Sequence, residues 1–123
     1  MVSGTALTKA GAGTLNLSGA NTYTGVTTVS AGTLSYNSIL NVSGGASALG
    51  APTTGANGTI ALAAGATLKY TGTGDSSNRV INLTGSGGTI DASGSGALTL
   101  SGGVTGNTFN LTLTGSSAGT ESG

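Results

Sequence analysis

Apolar and polar residues alternate along this chain in short bursts, and a glycine ends nearly every burst. The unit is x-apolar-polar-apolar-polar-Gly. It runs as Thr14-Leu15-Asn16-Leu17-Ser18-Gly19 and returns as Val80-Ile81-Asn82-Leu83-Thr84-Gly85 and Thr89-Ile90-Asp91-Ala92-Ser93-Gly94. Two more copies are Ala97-Leu98-Thr99-Leu100-Ser101-Gly102 and Asn110-Leu111-Thr112-Leu113-Thr114-Gly115. A shorter relative appears as Gly32-Thr33-Leu34, Gly58-Thr59-Ile60, Gly65-Ala66-Thr67-Leu68 and Gly88-Thr89-Ile90. A period of two sets Leu15 and Leu17 on one face of a strand, and Thr14, Asn16 and Ser18 on the other. The stiff branching of Thr, Val and Ile suits the same pleated backbone. No stretch carries a sustained 3.6-residue stripe. Ala61-Leu62-Ala63-Ala64 comes nearest, but it is short and flanked by Gly58 and Gly65.

Each glycine can adopt a positive φ and turn the chain sharply. Asn57-Gly58 is the sole Asn-Gly pair, so two-residue hairpin turns are scarce. A chain that turns corners more often than it reverses is a coil of strands. The pattern predicts an all-β fold, a right-handed parallel β-helix (a single-stranded solenoid) of about five to seven rungs, each roughly 20 residues long. Rungs stacked about 4.8 Å apart would align Leu, Ile and Val in inward columns. Thr, Ser and Asn would face water. Residues 1–123 read as one segment. Tyr36–Asn57, with Gly44-Gly45 and the single proline Pro52, reads as a loop that leaves the coil and returns near Gly58. Thr71–Asn78 reads as a polar turn.

Composition sharpens this reading. The 123 residues include 25 glycines, with 5% charged, 3% aromatic and no His, Cys or Trp. Such a balance can mark a disordered linker. Against that, 36% of residues are hydrophobic, the mean hydropathy is +0.23, and the aliphatics are regularly spaced. A formal net charge of zero removes the electrostatic drive for nucleic acid and anionic lipid. No apolar run approaches the ~18 residues of a helical membrane span, so direct membrane insertion is not expected. Met1 leads almost directly into repeat-like sequence, as expected of a piece of a longer protein.

Chemistry is sparse. The carboxylates are Asp75, Asp91 and Glu121, and the cations are Lys9, Lys69 and Arg79. Catalysis needs proton carriers or nucleophiles gathered in one place. Asp91 is expected on an outward strand position and Asp75 in a turn. Gly85–Asp91 only superficially resembles a calcium-binding nonapeptide, which requires G-G-x-G-x-D in tandem copies. No catalytic residue, cofactor site or metal ligand is therefore assigned, and no enzyme is expected. Tyr23, Tyr36 and Tyr70 are expected to pad the coil rather than stack on sugars. The Thr-x-Thr pairs at 22–24, 71–73 and 112–114 are too irregular to make a flat array.

One stretch is specific. Leu7 to Leu34 carries Leu7, Lys9, Gly11, Gly13, Thr14, Leu15, Leu17, Gly19, Asn21, Tyr23, Gly25, Thr27, Val29, Ala31, Gly32, Thr33 and Leu34 at set spacings. It resembles the passenger-associated transport repeat, also called the autotransporter-associated β-strand repeat, over 28 positions. The resemblance implies a parallel β-helical stalk of an exported passenger, extracellular or held at the bacterial surface. Its implied partner is the parent protein's own C-terminal translocator barrel, and its implied role is export, folding and display. The motif positions would then be structural: Leu7, Lys9, Gly11, Gly13, Leu15, Leu17, Gly19, Asn21, Tyr23, Gly25, Val29, Gly32 and Leu34. Two other roles fit the same coil. One is an adhesin that binds through the Tyr36–Asn57 excursion or through a ladder of outward Thr, Ser and Asn. The other is a fibre component that associates end to end through its open strand edges.

Overall fold

The structure, a computed structural model, describes residues 6–106, 109–116 and 119–121. The described residues wind through five turns. Turn one holds β1 (Leu7–Lys9) and β2 (Thr14–Leu17), and turn two holds β3 (Thr27–Val29) and β4 (Thr33–Tyr36). Before turn three the chain makes an excursion that includes one helical turn, α1 (Gly55–Gly58). Turn three is β5 (Ile60–Leu62), β6 (Thr67–Tyr70) and β7 (Asp75–Ser77); turn four is β8 (Ile81–Leu83), β9 (Gly88–Ala92) and β10 (Leu98–Leu100). Turn five is β11 (Val104–Thr105), β12 (Leu111–Thr114) and β13 (Gly119–Glu121). Every pairing between these strands is parallel.

Three sheets result, ordered β1-β3-β5-β8-β11, β2-β4-β6-β9-β12 and β7-β10-β13. This is the parallel β-solenoid that the alternation predicts, with five turns at the lower end of the expected range. The register steps Leu7 to Thr27, Thr27 to Ile60, Ile60 to Ile81 and Ile81 to Val104 give turns of 20, 33, 21 and 23 residues. The long step is the one that contains the excursion.

Register builds the columns. On the second sheet Leu15, Leu34, Leu68, Ile90 and Leu113 lie one above another, and Leu17, Tyr36, Tyr70 and Ala92 form the next column. On the first sheet Val29, Leu62 and Leu83 align, as do Ile60, Ile81 and Val104. Apart from Leu113, these side chains and Leu98 and Leu100 from the third sheet make one core, with Leu15, Leu17 and Val104 partly buried against it. Each fully buried aliphatic contributes roughly 1.5–3 kcal/mol. The outward face of the second sheet carries Thr14, Thr33, Thr67, Thr89 and Thr112 in unbroken register. This column follows the Gly-Thr-Leu/Ile corner unit at Thr33, Thr67 and Thr89.

Several expectations need correction. Thr71–Asn78 is not simply a polar turn, since it contains β7, and Asp75 is a strand residue in register with Leu98. Asp-Ser-Ser has no strand signal of its own; the partner strand β10 supplies it. The excursion carries α1, started by Thr54, whose hydroxyl accepts from the Asn57 amide at 3.2 Å. The spine is not wholly aliphatic either. Arg79, Tyr36, Tyr70, Ser77 and Thr27 are buried within it.

The two ends differ from the middle. At the first turn Leu7, Leu15 and Leu17 are only half-buried. At the last, Phe109 is 41% and Leu113 is 56% exposed, and an open cleft of about 440 Å3 lies between Leu83, Val104, Phe109 and Leu111.

Candidate functional site

The motif residues of the first stretch gather at a corner and along two columns. Lys9 ends β1 and is 7% exposed. Its ammonium donates to the carbonyls of Ala10 at 2.8 Å, Gly11 at 2.7 Å and Ala31 at 3.3 Å. A turn that points three carbonyls at one spot leaves them short of donors, and a lysine has three to give. Gly11 and Gly32 sit at this corner with φ of 78° and 68°. A Cβ on Gly32 would run into the carbonyls of Gly11 and Gly13 and would lie 2.8 Å from Lys9 Nζ. The corner therefore requires glycine for space as well as for backbone conformation. Gly13 accepts from the Thr33 amide at 3.1 Å, linking turn one to turn two. Gly19 turns the chain with φ of 81°, and Gly25 is a half-buried bend. Val29 and Leu34 are fully buried, whereas Leu7, Leu15 and Leu17 line the half-open first turn.

Asn21 and Tyr23 face the excursion. Asn21 Nδ2 donates to Ala48 O at 2.9 Å, and its amide donates to Ser47 O at 3.0 Å. Tyr23 is buried, shares a 2.9 Å hydrogen bond with the Thr27 hydroxyl, and accepts from the Ala51 amide through its carbonyl at 2.8 Å. Burial raises the Tyr23 pKa above its ordinary value, against the opposing effects of Thr27 and Arg79.

The other two tyrosines stack inside the coil, with ring centroids 5.5 Å apart and planes tilted by 55°. The Tyr70 hydroxyl donates to Asp75 Oδ2 at 2.7 Å and accepts from the Gly74 amide at 2.7 Å. Burial, with the neighbouring Asp75 adding to it, pushes its pKa up to about 12. The Tyr36 hydroxyl is buried and has no hydrogen-bond partner among the described residues, and burial raises its pKa too. None of the three rings is free on the surface.

Among the described residues the charged side chains do not gather at one spot. Asp75 lies inside on β7. Asp91 lies on the outward face of β9, in register between Lys69 and Thr114, and accepts from the Ser93 hydroxyl. Glu121 ends β13. Among the described residues no three His, Cys, Asp or Glu side chains gather where a metal ion could be held. No helix among them is long and apolar enough to cross a membrane.

Sequence reasoning missed Arg79. It is 1% exposed and faces no carboxylate among its hydrogen-bond partners. Nε donates to Gly58 O at 2.8 Å, one terminal nitrogen to Leu49 O at 2.7 Å, and the other approaches the Thr27 hydroxyl at 3.5 Å. Burial lowers its pKa from the usual arginine value. A signal existed: Arg79 shares the alternating face of Ile81 and Leu83, so period two already points it inward.

Against known proteins, residues 7–35 match the passenger-associated-transport-repeat. Over 101 residues the chain is 46% identical to the adhesin BmaC autotransporter of Brucella suis biovar 1 (strain 1330). The aligned part is 76% of this chain but 3% of that protein, so the chain spans a small fraction of its relative. No solved structure matches the chain. The repeat, the relative and the parallel coil agree: the chain is a parallel β-solenoid that carries a passenger-associated transport repeat at residues 7–35.

Proposed function

We propose that the chain is a non-enzymatic stalk segment of a surface-displayed autotransporter passenger, and that it supports export, folding and display of the protein that contains it. The observation that carries this reading is the register: apolar columns run unbroken from turn to turn, while charged groups stay scattered. No turn can close its own core, so each is stabilised by the one it stacks on. A turn that folds outside the membrane buries apolar surface and cannot easily slip back. Stacking thus biases movement outward with no nucleotide consumed. The partner in this reading is the parent protein's own translocator barrel, and the location is the cell surface or beyond.

The test is deletion of the segment, in whole turns, from the parent protein. Protease accessibility on intact cells then reports display, and a heat-modifiability assay reports barrel insertion. The expected result is less displayed passenger with the barrel still inserted. Unchanged display would overturn the reading.

A second reading is favoured by one feature. The excursion between β4 and β5 is a built structure with an exposed tip that includes Leu40, 36% exposed, and Ser43 held at φ 61°. The relative named above is itself called an adhesin. In this reading the coil carries the excursion as a binding loop. A glycan and matrix-protein array, probed with the chain and with a Leu40→Ser variant, distinguishes the two, because a pure stalk binds nothing.

A further inference from the structure

The excursion occupies a face that turn two would otherwise leave open. The third sheet begins only at β7, so this strand has no partner from turn two. Ile39, Ala48 and Leu49 of the excursion are fully buried in the same core as the strands. Asn21 and Tyr23 fasten them on one side, through Ser47, Ala48 and Ala51; on the other side a run of three consecutive residues at the end of β7 and just after it does so. The Ser77 hydroxyl donates to Leu40 O at 2.8 Å. Asn78 makes a reciprocal pair: its Oδ1 accepts from the Val42 amide at 2.8 Å, and its amide donates to Asn41 Oδ1 at 2.9 Å. Arg79 reaches furthest, to Leu49 O and Gly58 O, at opposite ends of the excursion's second half.

We infer that Ser77, Asn78 and Arg79 form a latch, and that the excursion is a strap that docks only once the chain leading into turn four is in place. Inside the excursion most bonds are short-range, such as Ser47 with Gly50 and Ser43 with Pro52. They close small loops but do not hold the strap against the coil. Asn21 and Tyr23 hold it from the turn before β3, and the guanidinium holds it from the turn-four side, because its planar fork can serve two carbonyls at once while its third edge faces Thr27. It thereby ties turn two, the excursion and the start of turn four into one block. Arg79 also needs the strap. Without Leu49 O and Gly58 O it would be a buried cation stripped of acceptors, which strongly disfavours a coil that closes before the strap docks. Docking and closure are thus mutually dependent, and turns two to four fold as a unit despite the 33-residue step between them.

Hydrogen exchange on the full chain tests this. In Arg79→Met the amides of Ser43, Ser47, Gly50 and Ala51 should exchange at least tenfold faster, while those of β4, β6 and β9 keep their protection. Arg79→Lys, which retains charge but loses the fork, should recover only part of that protection. Wild-type strap protection in Arg79→Met, or an equal loss across all strands, would overturn the latch. Should Arg79→Met fail to fold, Asn78→Ala alters only an exposed residue, and its exchange must still accelerate at Val42 and Ser43 and nowhere in β6. Pulse labelling during wild-type refolding addresses order. Strap amides should become protected together with or after Ile81–Leu83, and earlier protection would sink the inference.

Discussion

Residues 7–35, which match the family pattern, and residues 60–100, which lie outside that match, make an instructive pair. The first region has Lys9, three corner glycines and a set spacing of aromatic and amide side chains. Yet its first-turn aliphatics are half-exposed. The second region shows only fragments of the pattern, and it holds most of the buried core: Ile60, Leu62, Leu68, Ile81, Leu83, Ile90, Leu98 and Leu100. Recognisable sequence marks where the chain must turn in one specific way. Stability resides where columns are covered on both sides. A corner tolerates few residues, whereas a buried column accepts any aliphatic that fits.

The largest expected contrast comes from one column. Leu68→Ala should destabilise by about 2–5 kcal/mol, as deletion of a fully enclosed leucine does, while Leu15→Ala, on the half-open first turn, should cost about 1 kcal/mol. Urea midpoints for the two variants decide it; equal losses would dissolve the contrast. Next come the corners. Gly32→Ala adds the strain of a left-handed backbone, about 1–2 kcal/mol, to a collision with two carbonyls and Lys9 worth about 1–3 kcal/mol more. Gly65→Ala, at φ 70° with open space around it, should show the strain alone. Thermal melts of this pair separate backbone preference from crowding.

The stacked tyrosines sharpen the comparison further. Tyr70→Phe removes an acceptor from the Gly74 amide and a donor from Asp75, and should cost about 1–3 kcal/mol. Tyr36→Phe removes a hydroxyl that has no partner, so it should be neutral or stabilising. The last effect is graded. The unfolded chain loses its tyrosine protons near pH 10, while the folded chain keeps them, Tyr70 to about 12. Stability fully present below pH 10 should therefore fall as pH rises from 10 to 12. Denaturation midpoints collected across that window should drop in the wild type and drop less in Tyr70→Phe.

Much of the coil was legible because period two carries direct geometric meaning. Leu15 and Leu17, Ile81 and Leu83, and Leu98 and Leu100 each announced a strand and its inward face. What stayed hidden depends on contacts far along the chain. The strand at Asp75–Ser77 exists because Leu98–Leu100 templates it from 23 residues away. The Lys9 corner needs Ala31, and Arg79 needs Leu49 and Gly58; no local pattern records such partners. The helical turn at Gly55–Gly58 runs against low intrinsic propensity and is held by the Thr54 cap and by the docked strap.

The 33-residue step has a consequence for how such coils can change over time. Strand register on either side of it is undisturbed, so extra chain at a corner leaves every column where it was. One residue added inside β6 would instead swap Leu68 and Tyr70 for Thr67 and Lys69 on the inner face. Corners can therefore lengthen by any amount, but strands can grow only by whole periods, and novelty in this architecture is channelled to its edges.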